Sequence, residues 1–121
     1  MATKLKKILI CEDEKPIAIA LVLKLNHEGF EAESAFDGEE ALQMMQSKQY
    51  DLILLDLMMP RVDGFGVLTK MKELKIITPV IVTSNLGQEE DLKRAKELGA
   101  INYFIKSNTS LQEIVDSIKK L

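Results

Sequence analysis

Residues 52–60 read LILLDLMMP, four consecutive aliphatic side chains followed by an aspartate. A short apolar run of this kind is typical of a strand buried on both faces, as in a parallel sheet flanked by helices. Asp56 stands where the strand is expected to end, and Pro60 and Gly64 predict a turn beyond it. Ligands bind beyond the carboxyl ends of strands in open α/β sheets, so Asp56 lies at a candidate site. A polar residue also ends many strands for no functional reason, and Asp56 alone therefore decides nothing.

Strand-like and helix-like segments alternate on both sides of this run. The apolar patterns predict strands over residues 7–11, 30–35, 52–56, 79–83 and 101–105. Helices are predicted over residues 16–28, 38–46, 64–72, 88–98 and 111–120, with Gly29 and Gly99 as stop signals and Ser110 as a cap. This alternation implies right-handed βαβ crossovers and a parallel sheet with helices on both faces.

Length and composition are those of one globular domain. The 121 residues suffice for a full hydrophobic core. A net charge of −3 argues against direct nucleic-acid binding, which normally needs a basic face. No apolar run approaches the roughly 18 residues of a membrane span, and the single cysteine, Cys11, fits a reducing cytoplasm. We therefore expect one cytoplasmic domain over residues 1–121 that contacts neither membrane nor DNA.

Polar side chains stand at the ends of four predicted strands, namely Glu12, Asp13, Asp56, Thr83, Ser84 and Lys106. In a parallel sheet all these ends lie on one edge. Two carboxylates about 5 Å apart repel by roughly 3 kcal/mol at an effective dielectric near 20, so the cluster needs a cation or a proton. Carboxylate oxygens suit Mg²⁺, and Lys106 supplies a charge that pairs with an anion. The Thr83 hydroxyl can donate to a phosphoryl oxygen.

Five separated motifs make the chain resemble the receiver domain of two-component response regulators. They are Glu12-Asp13, residues 56–60 with Asp63-Gly64, Thr83-Ser84, Tyr103 and Lys106. The resemblance covers essentially the whole chain. It implies a CheY-like, flavodoxin-like (βα)5 fold, a doubly wound parallel sheet with strand order 2-1-3-4-5. It also implies a stand-alone receiver, residues 1–121, with no output domain.

The resemblance further implies an Mg²⁺-dependent phosphoacceptor site. Asp56 would be the phosphoacceptor. The Asp13 and Asp56 carboxylates and the main-chain carbonyl of Met58 would bind Mg²⁺, and Glu12 would act mainly through water.

By the same resemblance, four residues would bind the phosphoryl group or respond to it. Thr83 and Tyr103 would form a switch pair, in which Thr83 turns toward a new phosphoryl oxygen and the Tyr103 ring fills the space that it leaves. Ser84 lies beside Thr83 in this group, and Lys106 would contact the phosphoryl group. A local charge then biases a two-state element, as a phosphorylation switch requires.

The implied function is signalling by phosphoryl transfer. A sensor histidine kinase or a histidine phosphotransfer protein would phosphorylate Asp56, and the receiver would signal to a downstream protein or pass the phosphate on. Such a protein is a phosphoacceptor that assists its own phosphorylation and dephosphorylation, not an ordinary enzyme. A binding module that has lost phosphorylation is one alternative, and the intact acidic set argues against it. An Mg²⁺-dependent aspartyl-nucleophile phosphatase is another, but Met58 stands where such enzymes usually carry a general acid.

Two departures from the family pattern concern the loops near the site. Ser107 follows Lys106, where the family commonly has proline after a cis peptide bond. A cis bond before a residue other than proline costs about 2.5–4 kcal/mol, so we predict a trans bond and a shifted loop. Asn85 stands two residues after Thr83, at a position where family members tune the lifetime of the phosphoryl group.

The first predicted helix is unusually apolar, because Lys24 is the only charge between residues 16 and 25. Its spacing predicts an inward stripe of Ile17, Ala20, Leu21 and Leu25. That stripe leaves Ile19 and Leu23 on another face, one turn apart. Contiguous exposed apolar residues usually mark interaction sites. The resemblance to receiver domains implies that this patch docks a kinase or phosphotransfer helical bundle, and a homodimer through the same patch is the alternative.

Overall fold

The computed structural model describes residues 7–121, which contain five parallel strands and five α-helices. The strands are β1 (Lys7–Cys11), β2 (Glu31–Ala35), β3 (Leu52–Leu55), β4 (Val80–Ser84) and β5 (Asn102–Ile105). The helices are α1 (Lys15–His27), α2 (Gly38–Ser47), α3 (Gly64–Glu73), α4 (Glu89–Glu97) and α5 (Leu111–Lys119). The ends of all ten elements lie within one residue of the sequence prediction.

The sheet has the predicted strand order, β2-β1-β3-β4-β5, with every neighbouring pair parallel. The flavodoxin-like (βα)5 fold is therefore confirmed. β3 lies at the centre, beside β1 on one side and β4 on the other, while β5 forms an edge. Within residues 7–121, no helix has the length and apolar character needed to cross a membrane.

The central strand β3 is buried on both faces, as its unbroken aliphatic run predicts. Leu52 and Leu54 pack in a cluster with side chains of α1 and α5. Ile53 and Leu55 pack in a second cluster with side chains of α2, α3 and α4. Because alternate residues of a strand point to opposite faces, the four residues supply both cores. The helices therefore cover both faces, which leaves the carboxyl edge of the strands free for a site.

The inward face of α1 differs from the prediction at one position. Ala18 is fully buried, together with Leu21 and Leu25, and the half-buried Ile17 packs against the same core. Ala20 is half-buried and is not among the side chains packed against that core. Prediction of Ala20 as a core residue was therefore wrong. In a helix that is apolar on nearly every face, hydrophobicity alone does not fix which stripe points inward.

The loop between β3 and α3 packs directly on the start of α2. A Cβ atom added to Gly38 would lie 1.9 Å from the Val62 carbonyl oxygen, and one added to Gly64 would lie 2.5 Å from Leu57 Cα. Only glycine permits this approach without a shift of backbone. The loop that follows Asp56 is thereby fixed between α2 and the sheet.

Candidate functional site

Three carboxylates meet at the carboxyl edge of the central strands. Glu12 and Asp13 follow β1, and Asp56 follows β3, the neighbouring strand. Each of these residues offers an oxygen atom, and these atoms lie within 4.8 Å of one another. Glu12 and Asp56 are buried, with only 1% and 3% of their surfaces exposed. The structure therefore brings together the acidic cluster that the strand ends predict.

Lys106 supplies the positive charge of this cluster. It follows β5, two strands away from β3, and its side chain reaches across β4. Its Nζ atom lies 2.8 Å from Asp56 Oδ2 and 2.5 Å from Glu12 Oε1. One ammonium thus bridges two buried carboxylates that would otherwise repel each other.

The same contacts perturb the protonation of the bridging pair. Burial raises the pKa of Glu12 above its usual range, although the hydrogen bonds from Lys106 and from the Glu14 N–H act in the opposite direction. Burial acts to lower the pKa of Lys106, but the hydrogen bonds and charges of Asp56 and Glu12 outweigh it and raise that pKa. Lys106 therefore stays protonated across the physiological range.

The two oxygen atoms of Asp56 have different partners. Oδ1 accepts a hydrogen bond from the Met58 N–H at 3.1 Å, and Oδ2 accepts one from Lys106 at 2.8 Å. The turn after β3 thus brings the main chain of Met58 next to the carboxylate, while 55% of the Met58 residue surface remains exposed. Asp56 is therefore held by the Met58 N–H and by the Lys106 ammonium, and the neighbouring Met58 is exposed to solvent.

The donor set fits a hard divalent cation. Glu12 Oε1 is buried without a hydrogen bond of acceptable geometry, and its compensation is the ion pair with Lys106. Asp13 is more accessible than its two acidic neighbours, so one side of the cluster opens to solvent. Carboxylate oxygens around a partly hydrated opening are the environment that Mg²⁺ prefers. Asp13, Asp56, Met58 and Glu12 are the residues that could hold it.

The predicted switch residues lie at the ends of β4 and β5. Thr83 and Ser84 are buried, and Tyr103 is half-buried. The Tyr103 hydroxyl donates to the Leu86 carbonyl at 2.5 Å, and the Leu86 N–H donates to Ser84 Oγ at 3.3 Å. Tyr103 and Ser84 thus hold the loop that follows β4, which is the loop next to Thr83.

The peptide bond between Lys106 and Ser107 is trans, because residues 7–121 contain no cis bond. The prediction of a trans bond is confirmed. Residues Lys106–Asn108 form a 3₁₀ turn. The Ser107 N–H donates to Asn85 Oδ1 at 3.0 Å. Sequence analysis missed this link, although the N–H that proline lacks was the available signal.

Three further side chains anchor the loop after Asp56, and the sequence analysis assigned none of them to this loop. Arg61 adopts a left-handed backbone conformation, with φ of 70°, and its Nε lies 3.3 Å from Asp37 Oδ2. Asp37 also caps α2 through the Glu40 N–H. Asp63 caps α3 by accepting from the Gly66 N–H at 2.8 Å. The loop is therefore anchored to the starts of both helices.

Comparison with known proteins defines the class. The sequence matches the response regulator receiver domain family over residues 8–119, and this chain belongs to that family. Phosphorylation and Mg²⁺ binding at an acidic cluster are typical of these domains. They interact with histidine kinases or phosphotransfer proteins and with downstream targets.

Two proteins of Bacillus subtilis represent its relatives. The chain is 37% identical over 101 residues to the alkaline phosphatase synthesis transcriptional regulatory protein PhoP, covering 84% of this chain and 42% of PhoP. It is 36% identical over 115 residues to sporulation initiation phosphotransferase F, covering 95% of this chain and 92% of that protein. It therefore spans less than half the length of PhoP and nearly all of the phosphotransferase.

Solved structures agree on the fold. The receiver domain of the Francisella response regulator 1452 is 34% identical, with a TM-score of 0.88 and 93% of each chain covered. A CheY-like receiver domain protein from Methanospirillum hungatei is 26% identical, with a TM-score of 0.89 and coverage of 97% of this chain and 93% of that one.

The bridging ion pairs generate a prediction about stability. Lys106→Met removes the cation from two buried carboxylates, so we expect the free energy of unfolding at pH 7 to fall by about 3 kcal/mol. The loss should shrink as the pH falls below 7, because a carboxyl group with a raised pKa takes up its proton in the folded state before it does so in the unfolded chain. Urea unfolding across this pH range measures both effects.

Lys48→Met is the matched control. Lys48 Nζ lies 3.0 Å from Glu33 Oε2, but the two side chains are 51% and 42% exposed. An exposed pair of this kind contributes less than about 1 kcal/mol. Equal losses of unfolding free energy in Lys106→Met and Lys48→Met would contradict the prediction that the buried ion pairs of Lys106 stabilise the fold more than an exposed pair does.

Proposed function

We propose that this chain is a phosphorylatable receiver in which Asp56 accepts a phosphoryl group. The donor is a phosphohistidine of a sensor histidine kinase or of a histidine phosphotransfer protein. The observation that carries the proposal is the placement of Asp56, buried at the end of the central strand, held by Lys106 and beside two further carboxylates. The phosphorylated domain signals to a protein partner or passes the group on.

The chemistry asks for positioning and charge neutralisation more than for proton transfer. A carboxylate oxygen of Asp56 attacks the phosphorus, a new O–P bond forms, and the bond from phosphorus to the donor imidazole nitrogen breaks. The imidazole leaves with the electron pair of that bond and takes a proton from solvent. Lys106, freed from one of its carboxylate contacts, pairs with a phosphoryl oxygen. The product is an acyl phosphate.

Mg²⁺ fits this reaction as a source of positive charge. The residues that would hold it are Asp13 and Asp56 through their carboxylates, Met58 through its main-chain carbonyl and Glu12 through water. When bound, the ion offsets the charge of the acidic cluster and of the phosphoryl oxygens.

The response to phosphorylation runs through the ends of β4 and β5. Thr83 bonds to a new phosphoryl oxygen, and Tyr103 occupies the space that the threonine leaves. The Tyr103 hydroxyl donates to the Leu86 carbonyl, so a change in the position of the Tyr103 ring alters the loop between β4 and α4 directly. Ser84 belongs to the same segment and holds the Leu86 N–H. A charge added at Asp56 thereby alters a surface that a partner can read.

The alternatives have less support. An aspartyl-nucleophile phosphatase needs a proton donor near the leaving group, and the thioether of Met58 carries no proton to give. A binding module without phosphorylation has no need for the buried and mutually repelling carboxylates of Glu12 and Asp56.

Helix α1 offers a docking surface for the phosphodonor. Ile19 and Leu23 are 55% and 64% exposed and lie one turn apart. The helix starts at Lys15, two residues after Asp13, so its amino-terminal end lies beside the site. A helix of a kinase or phosphotransfer bundle can cover such a patch with its own apolar face. A homodimer through the same patch is the alternative.

The first experiment tests the phosphoacceptor. Incubation with acetyl phosphate and Mg²⁺ should add one labile phosphoryl group, visible by intact-protein mass spectrometry. Asp56→Asn should abolish labelling, because an amide is not a comparable nucleophile. Asp116→Asn, a change on the exposed surface of α5, should label like the wild type. Labelling of Asp56→Asn to the wild-type extent would contradict the assignment of Asp56 as the phosphoacceptor.

The second experiment tests the metal. A ligand that binds only the folded state stabilises it by RT ln(1 + [L]/Kd), about 1.4 kcal/mol at ten times Kd. Millimolar Mg²⁺ should therefore raise the melting temperature of the wild type. Asp13→Ala should remove this dependence, whereas Asp116→Ala should retain it. If wild-type melts in EDTA and in Mg²⁺ coincide, the cluster binds no Mg²⁺.

The third experiment tests the α1 patch. Ile19→Glu combined with Leu23→Lys should leave acetyl phosphate labelling intact and slow transfer from the cognate kinase. If the patch forms a homodimer, light scattering should instead record a lower mass. The control is Leu74→Glu combined with Ile77→Lys in the loop between α3 and β4, at the amino-terminal ends of the strands, where those residues are 40% and 94% exposed. An α1 variant with unchanged transfer rate and mass would show that the patch has neither function.

A further inference from the structure

One hydrogen bond joins two loops that border the acidic cluster. The Ser107 N–H, directly after Lys106, donates to the side-chain oxygen of Asn85 at 3.0 Å. Asn85 follows the last residue of β4, so the bond ties the β4–α4 loop to the segment that carries Lys106. The contact spans 22 residues of sequence.

The donor is a main-chain group, and this fact makes the link dependent on the identity of residue 107. A proline at that position would have no N–H to donate. The Ser107 hydroxyl takes no part in this bond, since the donor is the backbone nitrogen. Within the turn that follows β5, the Thr109 N–H donates a longer hydrogen bond of 3.4 Å to the Lys106 carbonyl.

The Lys106 side chain must cross a neighbouring strand to reach its two carboxylate partners. Its side chain starts at the edge strand, crosses β4 and ends with Nζ between Asp56 and Glu12, where it is only 14% exposed. A lysine side chain loses much of its rotamer freedom when it is fixed in this way. The point from which the side chain starts must therefore be held by its neighbours. The bond from Ser107 to Asn85 holds the adjacent peptide unit.

We propose that Asn85 is a positioning residue for Lys106, acting through the Ser107 N–H to keep the ammonium group on Asp56 and Glu12. The inference rests on the proposed function of Asp56 as phosphoacceptor, and it adds a residue that does not touch the carboxylates. Loss of the bond lets the Lys106 segment move, so the ammonium spends less time in the cluster.

Two consequences run in opposite directions. Lys106 attracts the anionic phosphodonor, so a loosened Lys106 weakens capture of acetyl phosphate. Lys106 also occupies the carboxylates that would bind Mg²⁺, so the same loosening frees Glu12 and Asp56 and tightens Mg²⁺ binding. General damage to the site would weaken both ligands together.

The experiment compares Asn85→Ala with Ser107→Ala, which keeps the main-chain donor. In Asn85→Ala the half-saturating concentration of acetyl phosphate should rise about fivefold, the equilibrium equivalent of one lost hydrogen bond, with the rate at saturation little changed. The Mg²⁺ dissociation constant, measured by calorimetry without phosphodonor, should fall. Ser107→Ala should match the wild type in both. The Lys106 ammonium cross-peak in NMR, assigned through Lys106→Met, should weaken only in Asn85→Ala.

Two results would overturn the proposal. One is an unchanged half-saturating concentration and Lys106 cross-peak in Asn85→Ala. The other is a parallel weakening of acetyl phosphate and Mg²⁺ binding. If the wild type accepts no phosphate at all, the proposed function fails separately, and Mg²⁺ affinity and the Lys106 cross-peak still decide the positioning by Asn85.

Discussion

The arrangement of this domain depends on one ammonium group held between two buried carboxylates. Lys106 Nζ contacts Asp56 at 2.8 Å and Glu12 at 2.5 Å. The sheet order makes this contact possible, because β1 and β3 are neighbours and β5 lies one strand beyond β4. Burying either acid without compensation would be strongly unfavourable. The fold therefore brings the charges together and also supplies the cation that makes their proximity tolerable.

The same balance explains how the site can respond to a ligand. A buried acidic cluster whose charge is only partly offset by one lysine can exchange that lysine for a metal ion or share it with a phosphoryl group. Every such exchange changes the forces on the segments after β4 and β5. Tyr103 and Asn85 tie these segments together through the Leu86 carbonyl and the Ser107 N–H. Chemistry at Asp56 is thereby connected to the surface that a partner would meet.

The sequence predicted the fold closely because its local signals agree with one another. The run from Leu52 to Leu55 is typical of a strand buried on both faces, and the glycines at positions 29 and 99 adopt the left-handed conformation expected at helix ends. The acidic cluster was predictable for the same reason, since parallel strands end on one edge. The inward stripe of α1 was not predictable, because the sequence of a helix that is apolar on several faces does not indicate which face is buried. The bond from Ser107 to Asn85 joins two loops, and no periodicity connects them.

The most direct measurement of the central claim is a crystal structure of the domain with Mg²⁺ and beryllofluoride, a tetrahedral mimic of a phosphoryl group. The account predicts beryllium bound to an Asp56 carboxylate oxygen, with Mg²⁺ on Asp13 and Asp56 and with Lys106 Nζ on a fluorine atom. It also predicts the Thr83 hydroxyl turned toward a second fluorine. A structure with Asp56 unmodified and Lys106 still bridging Asp56 and Glu12 under these conditions would contradict it.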